Sequence, residues 1–129
     1  LYKHSRVHGQ ALVEFALIFP ILVLFIFGIL DLGRAVFANT VVGDAAREGA
    51  RAAVVGANVN QAISTTAIGI YSTNPSIFSY SVTPVTVSYG NPVTVTVTYT
   101  FTAATPFIGN FLGTGGKLRL TSQSSMIAE

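Results

Sequence analysis

A run of apolar residues at positions 11–30 constrains this chain more than any other feature. It reads ALVEFALIFPILVLFIFGIL and contains a single charged residue, Glu14. A bilayer core is about 30 Å thick, so about 20 apolar residues in a helix are enough to span it. Residues 15–30 also lack the polar face of a helix that lies on a soluble core. The run therefore predicts a helix that is inserted in a membrane or forms the core of a polymer.

The composition supports this class and excludes several others. Charged residues make up only 9% of the chain, and the mean hydropathy is +0.60. The formal net charge of +2 is too small to indicate a nucleic-acid surface. The chain has no cysteine, which excludes disulfides and thiolate metal sites. The two histidines lie in a basic flank without a third ligand, and no catalytic or nucleotide motif is present. We therefore predict no enzyme activity, no cofactor, no metal and no nucleic-acid partner.

The sequence divides into three predicted segments: a basic flank at 1–9, a long helix at 10–56, and a small α+β domain at 57–129. Acidic and basic residues recur three apart after the apolar run, which is a helical pair spacing. Pro20 removes one backbone hydrogen bond within this helix and predicts a kink. Small residues also recur every four positions. These residues are Ala45, Gly49, Ala53 and Ala57. They indicate either simple tolerance of small side chains or a stripe for close packing.

Two kinds of pattern follow the long helix. Asn58 is a predicted cap of a short amphipathic helix that ends at Thr73-Asn74-Pro75. Residues 78–101 then predict a hairpin, in which Pro84 shifts the alternation and Val85–Tyr89 resume it. Residues 93–102 alternate strictly between apolar side chains and threonine, and 117–127 predict a third strand. The fold class is therefore α+β, with a three-stranded antiparallel sheet; an apolar loop at 103–116 precedes the last strand.

Two stretches resemble a known family. Residues 9–20 read GQALVEFALIFP, and residues 45–51 read AAREGAR. Together with the closing MIAE, they are similar to the TadE-like, type IV pilin-related pseudopilins of tight-adherence (Flp) pilus systems. In that family a prepilin peptidase cuts after a glycine and a glutamate occupies the fifth mature position. Gly9 and Glu14 have this spacing.

The resemblance implies roles for three residues. Gly9 and Gln10 would form the processing site, and Glu14 would set the register of subunits by pairing with a neighbour's N-terminal amine. In the uncleaved chain Gln10 has no free amine, so Glu14 would need another cation, such as Lys3 or Arg6 of a neighbour, or protonation. A simpler alternative is that Glu14 reaches the lipid headgroups at the start of the run.

The function that the resemblance implies is that of a structural pilus subunit, which polymerises or is anchored through its N-terminal helix. Its expected partners are copies of itself or other pilin-like subunits, a prepilin peptidase, and membrane lipid before assembly. The expected location is the cytoplasmic membrane with the C-terminal domain outside, or an extracellular filament. Two alternatives remain: an accessory single-span subunit of a larger membrane complex, and a membrane-anchored surface domain that does not polymerise.

Overall fold

The computed structural model describes residues 7–86, 88–105 and 115–128, and it confirms the predicted α+β fold. Two helices precede three strands along the chain. Their bounds are α1 Val7–Val54, α2 Val59–Thr66, β1 Phe78–Thr83, β2 Pro92–Thr102 and β3 Lys117–Ile127. Part of the predicted basic flank and most of the predicted apolar loop lie outside the described residues.

Helix α1 is continuous over 48 residues, with Pro20 inside it. At 1.5 Å per residue it is about 72 Å long. It begins within the predicted basic flank and ends two residues before Gly56, which has a φ of +70°. This left-handed conformation is easily reached only by glycine, so the helix stops where the sequence indicates.

The two halves of α1 have different surroundings. The apolar half is exposed almost throughout, with Leu17 and Phe25 more than three-fifths exposed. The second half lies against the sheet and α2. Its buried face consists mainly of small side chains, namely Ala38, Val42, Ala45, Ala46, Ala50 and Ala53. Helix α1 therefore supplies one side of the domain core, and the other described residues leave its apolar half largely uncovered.

Helix α2 begins where predicted and ends earlier. The Asn58 side chain accepts a hydrogen bond of 3.1 Å from the Gln61 N–H, which is the predicted cap. The helix ends at Thr66, so the prediction that it continues to Thr73 is wrong. Two physical reasons are visible: hydroxyl groups in the last turn bond to backbone carbonyls, and Gly69 has a φ of +85°.

The sheet is antiparallel with the order β1-β2-β3, so the alternating strand β2 is central. Its apolar side chains face α1 and are buried, whereas its threonines lie on the other face and are partly exposed or exposed. The core thus combines one sheet face with α2 and the small-residue face of α1. The buried side chains of β2 are Val93, Val95, Val97 and Phe101.

The predicted return to strand structure at Val85–Tyr89 is wrong. Residues 84–86 and 88–91 form no strand, and the side chains of Val85 and Tyr89 are 92% and 87% exposed. The register explains the failure. Thr83 already pairs with Thr94, close to the start of β2, so β2 has almost no residues left to pair with this segment.

Candidate functional site

The residues of the predicted processing site lie together at the start of α1. Gly9 and Gln10 are helical and exposed, and the Gln10 Nε2 atom donates to Glu14 Oε1 at 3.2 Å. Glu14 is exposed in the surrounding apolar surface. Pro20 follows within the same continuous helix. The arrangement leaves both the Gly9–Gln10 peptide and the Glu14 carboxylate open to a partner.

The four small residues of the predicted stripe have two different environments. Ala45, Gly49 and Ala53 are buried against the domain, whereas Ala57 is exposed beyond the end of α1. A Cβ atom added to Gly49 would lie 2.9 Å from Ile63 Cγ1 and 3.1 Å from Val95 Cγ1. The helix therefore approaches α2 and β2 more closely here than a side chain would allow.

An additional site lies immediately after the apolar run, where Asp31 is buried. Its Oδ2 atom accepts hydrogen bonds from the Thr105 hydroxyl at 2.6 Å and from the Thr105 N–H at 2.8 Å. Its Oδ1 atom accepts from the Ala104 N–H and from Arg34 Nη1, both at 3.1 Å. Asp31, Arg34, Ala104 and Thr105 are called the Asp31 cluster below. The cluster ties the segment after β2 to α1.

The electrostatics of the Asp31 cluster favour the ionised carboxylate. The Thr105 hydroxyl contributes most to lowering the pKa of Asp31, burial opposes it, and the two backbone N–H groups and Arg34 add to the lowering. The Arg34 guanidinium also lies over the ring of Phe101, 5.4 Å from its centroid. Arg34 thus contacts both the carboxylate and the last inward-facing side chain of β2.

The sequence alone does not distinguish Asp31 from the other acids of α1 that precede a basic residue by three positions. The Asp31–Arg34 and Asp44–Arg47 pairs have the same spacing and similar distances, 3.1 and 3.2 Å. They differ in burial, since the side chain of Asp31 is 5% exposed and that of Asp44 is 52% exposed. The one available signal was the position of Asp31 directly after the apolar run. Its main partners are 73 and 74 residues away in the sequence.

The Asp31 cluster has a structural role, because it links the segment after β2 to α1. Both carboxylate oxygens are occupied by donors from the chain itself, so the group has little capacity left for a ligand. Among residues 7–86, 88–105 and 115–128, no three His, Asp or Glu side chains are grouped as a metal site. The cluster instead fixes the end of the sheet beside the exposed apolar half of α1.

Comparison with known proteins gives one match. Residues 9–51 match the family model of TadE-like proteins, and this segment lies entirely within α1. No curated protein and no solved structure gives a significant match. The chain therefore carries a TadE-like segment, as the sequence motifs predict. TadE-like proteins are a pilus-associated structural family, and the match includes Gly9, Glu14 and Asp31.

The same helix meets the physical requirements of a membrane anchor. It contains an 18-residue window with a mean hydropathy of 2.7, and the described residues bury none of that window. Length and composition are sufficient to cross a bilayer. These features define a chain whose N-terminal helix is TadE-like and is long and apolar enough to cross a membrane.

Proposed function

We propose that this chain is a membrane-anchored subunit of a type IV pilus-like assembly, and that it binds other pilin-like subunits through the apolar half of α1. The observation that carries this proposal is the contrast between the two halves of one helix. The second half is buried by the chain's own sheet, whereas the first half has no cover from the described residues. The TadE-like match independently supports association with a pilus.

The size of the uncovered surface explains why a partner is required. Burying one Leu, Ile or Phe side chain contributes about 1.5–3 kcal/mol, so the apolar half would be strongly unfavourable in water. A bilayer can cover it before assembly, and the helices of neighbouring subunits can cover it in a filament. We propose that the helix moves from the first environment to the second when the subunit assembles.

Glu14 has a specific role in this proposal. A carboxylate within an apolar surface is costly unless it is paired, so it favours the one subunit register that brings a cation to it. Cleavage after Gly9 would create such a cation, the amine of Gln10 on a neighbouring subunit. In the uncleaved chain the exposed Glu14 accepts a bond from Gln10 of its own helix, which leaves acceptor capacity for an incoming amine.

Processing can be tested by expressing the full chain with and without a prepilin peptidase and measuring the intact mass. We expect the enzyme to remove the segment that ends at Gly9, and we expect Gly9→Val to block this removal. Gly33→Val is the matched control, because a Cβ at position 33 also meets no atom within 4 Å. An unchanged mass of the wild-type chain would contradict processing, although anchoring would be unaffected.

Assembly can be tested by disulfide crosslinking, because the chain has no cysteine of its own. A single cysteine at Leu17 should crosslink to neighbouring subunits, whereas one at Ile68, which is exposed on the folded domain, should not. Adding Glu14→Leu should keep the protein in the membrane fraction and greatly reduce crosslinking through position 17. Crosslinking that is unchanged by Glu14→Leu would contradict the register role of Glu14.

A further inference from the structure

A small cleft lies on the folded domain, where α2, the segment that follows it and β1 meet. Its volume is about 360 Å³, which is at the lower end of the range for small-molecule sites. Its walls combine aromatic rings with hydroxyl and amide groups, and it is called the tyrosine cleft below. The lining includes Asn60, Tyr71, Thr73, Phe78, Ser79 and Tyr80.

The chain itself holds the aromatic wall of the tyrosine cleft in place. The Tyr71 hydroxyl donates to Asn60 Oδ1 at 3.1 Å. The Tyr71 ring contacts the buried ring of Phe78, with 5.3 Å between the two centroids. The Tyr71 N–H donates to the Ala67 carbonyl at 2.9 Å. Because these bonds already order the wall, a ligand that binds here does not have to order it.

The lining of the tyrosine cleft, as far as the structure describes it, carries no charge. It comes from residues 60–80, which lie within a longer stretch, 52–116, that contains no Asp, Glu, Lys, Arg or His. The outward side chains of α2 are likewise amides and hydroxyls, at Asn60, Gln61 and Thr65. A charged ligand would lose hydration in the cleft and find no counter-charge. The cleft therefore favours an uncharged ligand.

The polar groups of the cleft disfavour a purely apolar ligand. The hydroxyls of Thr73 and Ser79 can each donate and accept hydrogen bonds. The bond from Tyr71 uses the amide oxygen of Asn60 and not its NH2 group, which can donate twice. An apolar molecule would cover these groups without giving them partners, which is unfavourable. A ligand with several hydroxyl groups can both donate to them and accept from them.

The aromatic rings add a second requirement. The side chain of Tyr71 is 36% exposed, and that of Tyr80 is half-buried. An aromatic ring has a flat apolar surface with a negative face, which attracts C–H groups. A sugar ring has C–H groups on its faces and hydroxyl groups around its edge. Its chemistry therefore meets both requirements of the cleft at once.

We propose that the tyrosine cleft binds a neutral oligosaccharide. One sugar ring lies against Tyr71 and Tyr80, and its hydroxyl groups bond to Asn60, Thr73 and Ser79. The cleft belongs to the folded domain, so this proposal does not depend on membrane anchoring or on assembly.

Binding can be measured by saturation-transfer NMR on the full chain, in micelles of a detergent without a sugar headgroup. The probes are the neutral tetrasaccharides of glucose, mannose and N-acetylglucosamine. The tetrasaccharide of galacturonic acid is the charged control of the same length. We expect at least one neutral probe to bind with a Kd in the millimolar range, and we expect the charged control to bind much more weakly.

Two substitutions place the binding in the cleft. Asn60→Ala should weaken binding about fivefold, the factor that corresponds to one hydrogen bond, whereas Gln61→Ala, an exposed amide on the same helix outside the lining, should not. Tyr80→Leu should weaken binding about tenfold, with the exposed Tyr89→Leu as its control. Because Asn60 is exposed, Asn60→Ala decides the outcome if Tyr80→Leu lowers the stability.

Four results would overturn the proposal. Absence of saturation transfer to every neutral probe would mean that the cleft does not bind oligosaccharides. Equal binding of the galacturonic acid probe would contradict the selection of neutral ligands. Binding that is unchanged in Asn60→Ala would mean that the sugar lies elsewhere. Crosslinking between subunits through Thr73→Cys in assembled material would mean that protein fills the cleft. None of these results concerns the apolar half of α1, so the proposed function would be unaffected.

Discussion

The burial of Asp31 leads to a quantitative prediction for Asp31→Asn. This substitution keeps the shape of the side chain and replaces one acceptor oxygen with an NH2 group. In the native structure each carboxylate oxygen accepts a bond from a backbone N–H, those of Ala104 and Thr105. The amide of asparagine can satisfy one of these N–H groups and must present its own donor to the other.

The loss of stability in Asp31→Asn depends on the hydrogen-bond donors that the substitution leaves unsatisfied. An unsatisfied buried N–H costs about 1–3 kcal/mol, and bonds to a neutral acceptor are about half as strong as bonds to a charged one. The Thr105 hydroxyl can turn and accept from the new NH2 group, which limits the loss. We therefore expect the free energy of unfolding to fall by about 2–4 kcal/mol.

The assay is thermal unfolding of the full chain in detergent, followed by the near-ultraviolet circular dichroism of its tyrosines. Each 1 kcal/mol should lower Tm by roughly 4–8 °C in a domain of this size. Asp44→Asn is the matched control, because it breaks an exposed ion pair of the same spacing and should cost less than about 1 kcal/mol. If the two substitutions lowered Tm equally, the argument would be refuted that burial and the bonds to the segment after β2 make Asp31 contribute more to stability than Asp44.

Three further predictions use the same unfolding assay. The hydrogen bonds to Asp31 hold its pKa below an unfolded value of about 3.9. The contribution of Asp31 to the free energy of unfolding should therefore be complete above about pH 4 and be lost as the pH falls further. Asp31→Asn should weaken this acid dependence. Gly49→Ala should be less stable than Gly43→Ala by about 1–3 kcal/mol, since only the former overpacks the core; equal stabilities would contradict the close contact. Ile63→Ala should cost about 2–5 kcal/mol, whereas Ile68→Ala, at a position that is 74% exposed, should have little effect.

Much of the fold was predictable because its signals are local. The alternation of valine and threonine indicates a strand by itself, and β3 has the predicted bounds of Lys117–Ile127. The cap at Asn58 depends on a bond to a residue three positions away. Such interactions are completed within one turn or one strand, so residue types at short spacing are sufficient to indicate them.

The errors share a different cause, which is dependence on distant partners. The alternation at Val85–Tyr89 resembles a strand, but its formation depends on free pairing positions of β2, and the register leaves almost none. The burial of Asp31 depends on Thr105, which the sequence places far away. The sequence pattern of a helical ion pair is the same whether or not the pair has such a distant partner.

The continuity of α1 has a mechanical consequence for the folded domain. No flexible linker separates the apolar half from the half that packs on the sheet. One residue inserted between Phe27 and Asp31 would therefore rotate the whole domain by about 100° and raise it by about 1.5 Å. Insertions of three or four residues would nearly restore the original facing, one turn higher. The number of residues between the apolar half and the domain therefore determines the angular position of the sheet about the helix axis.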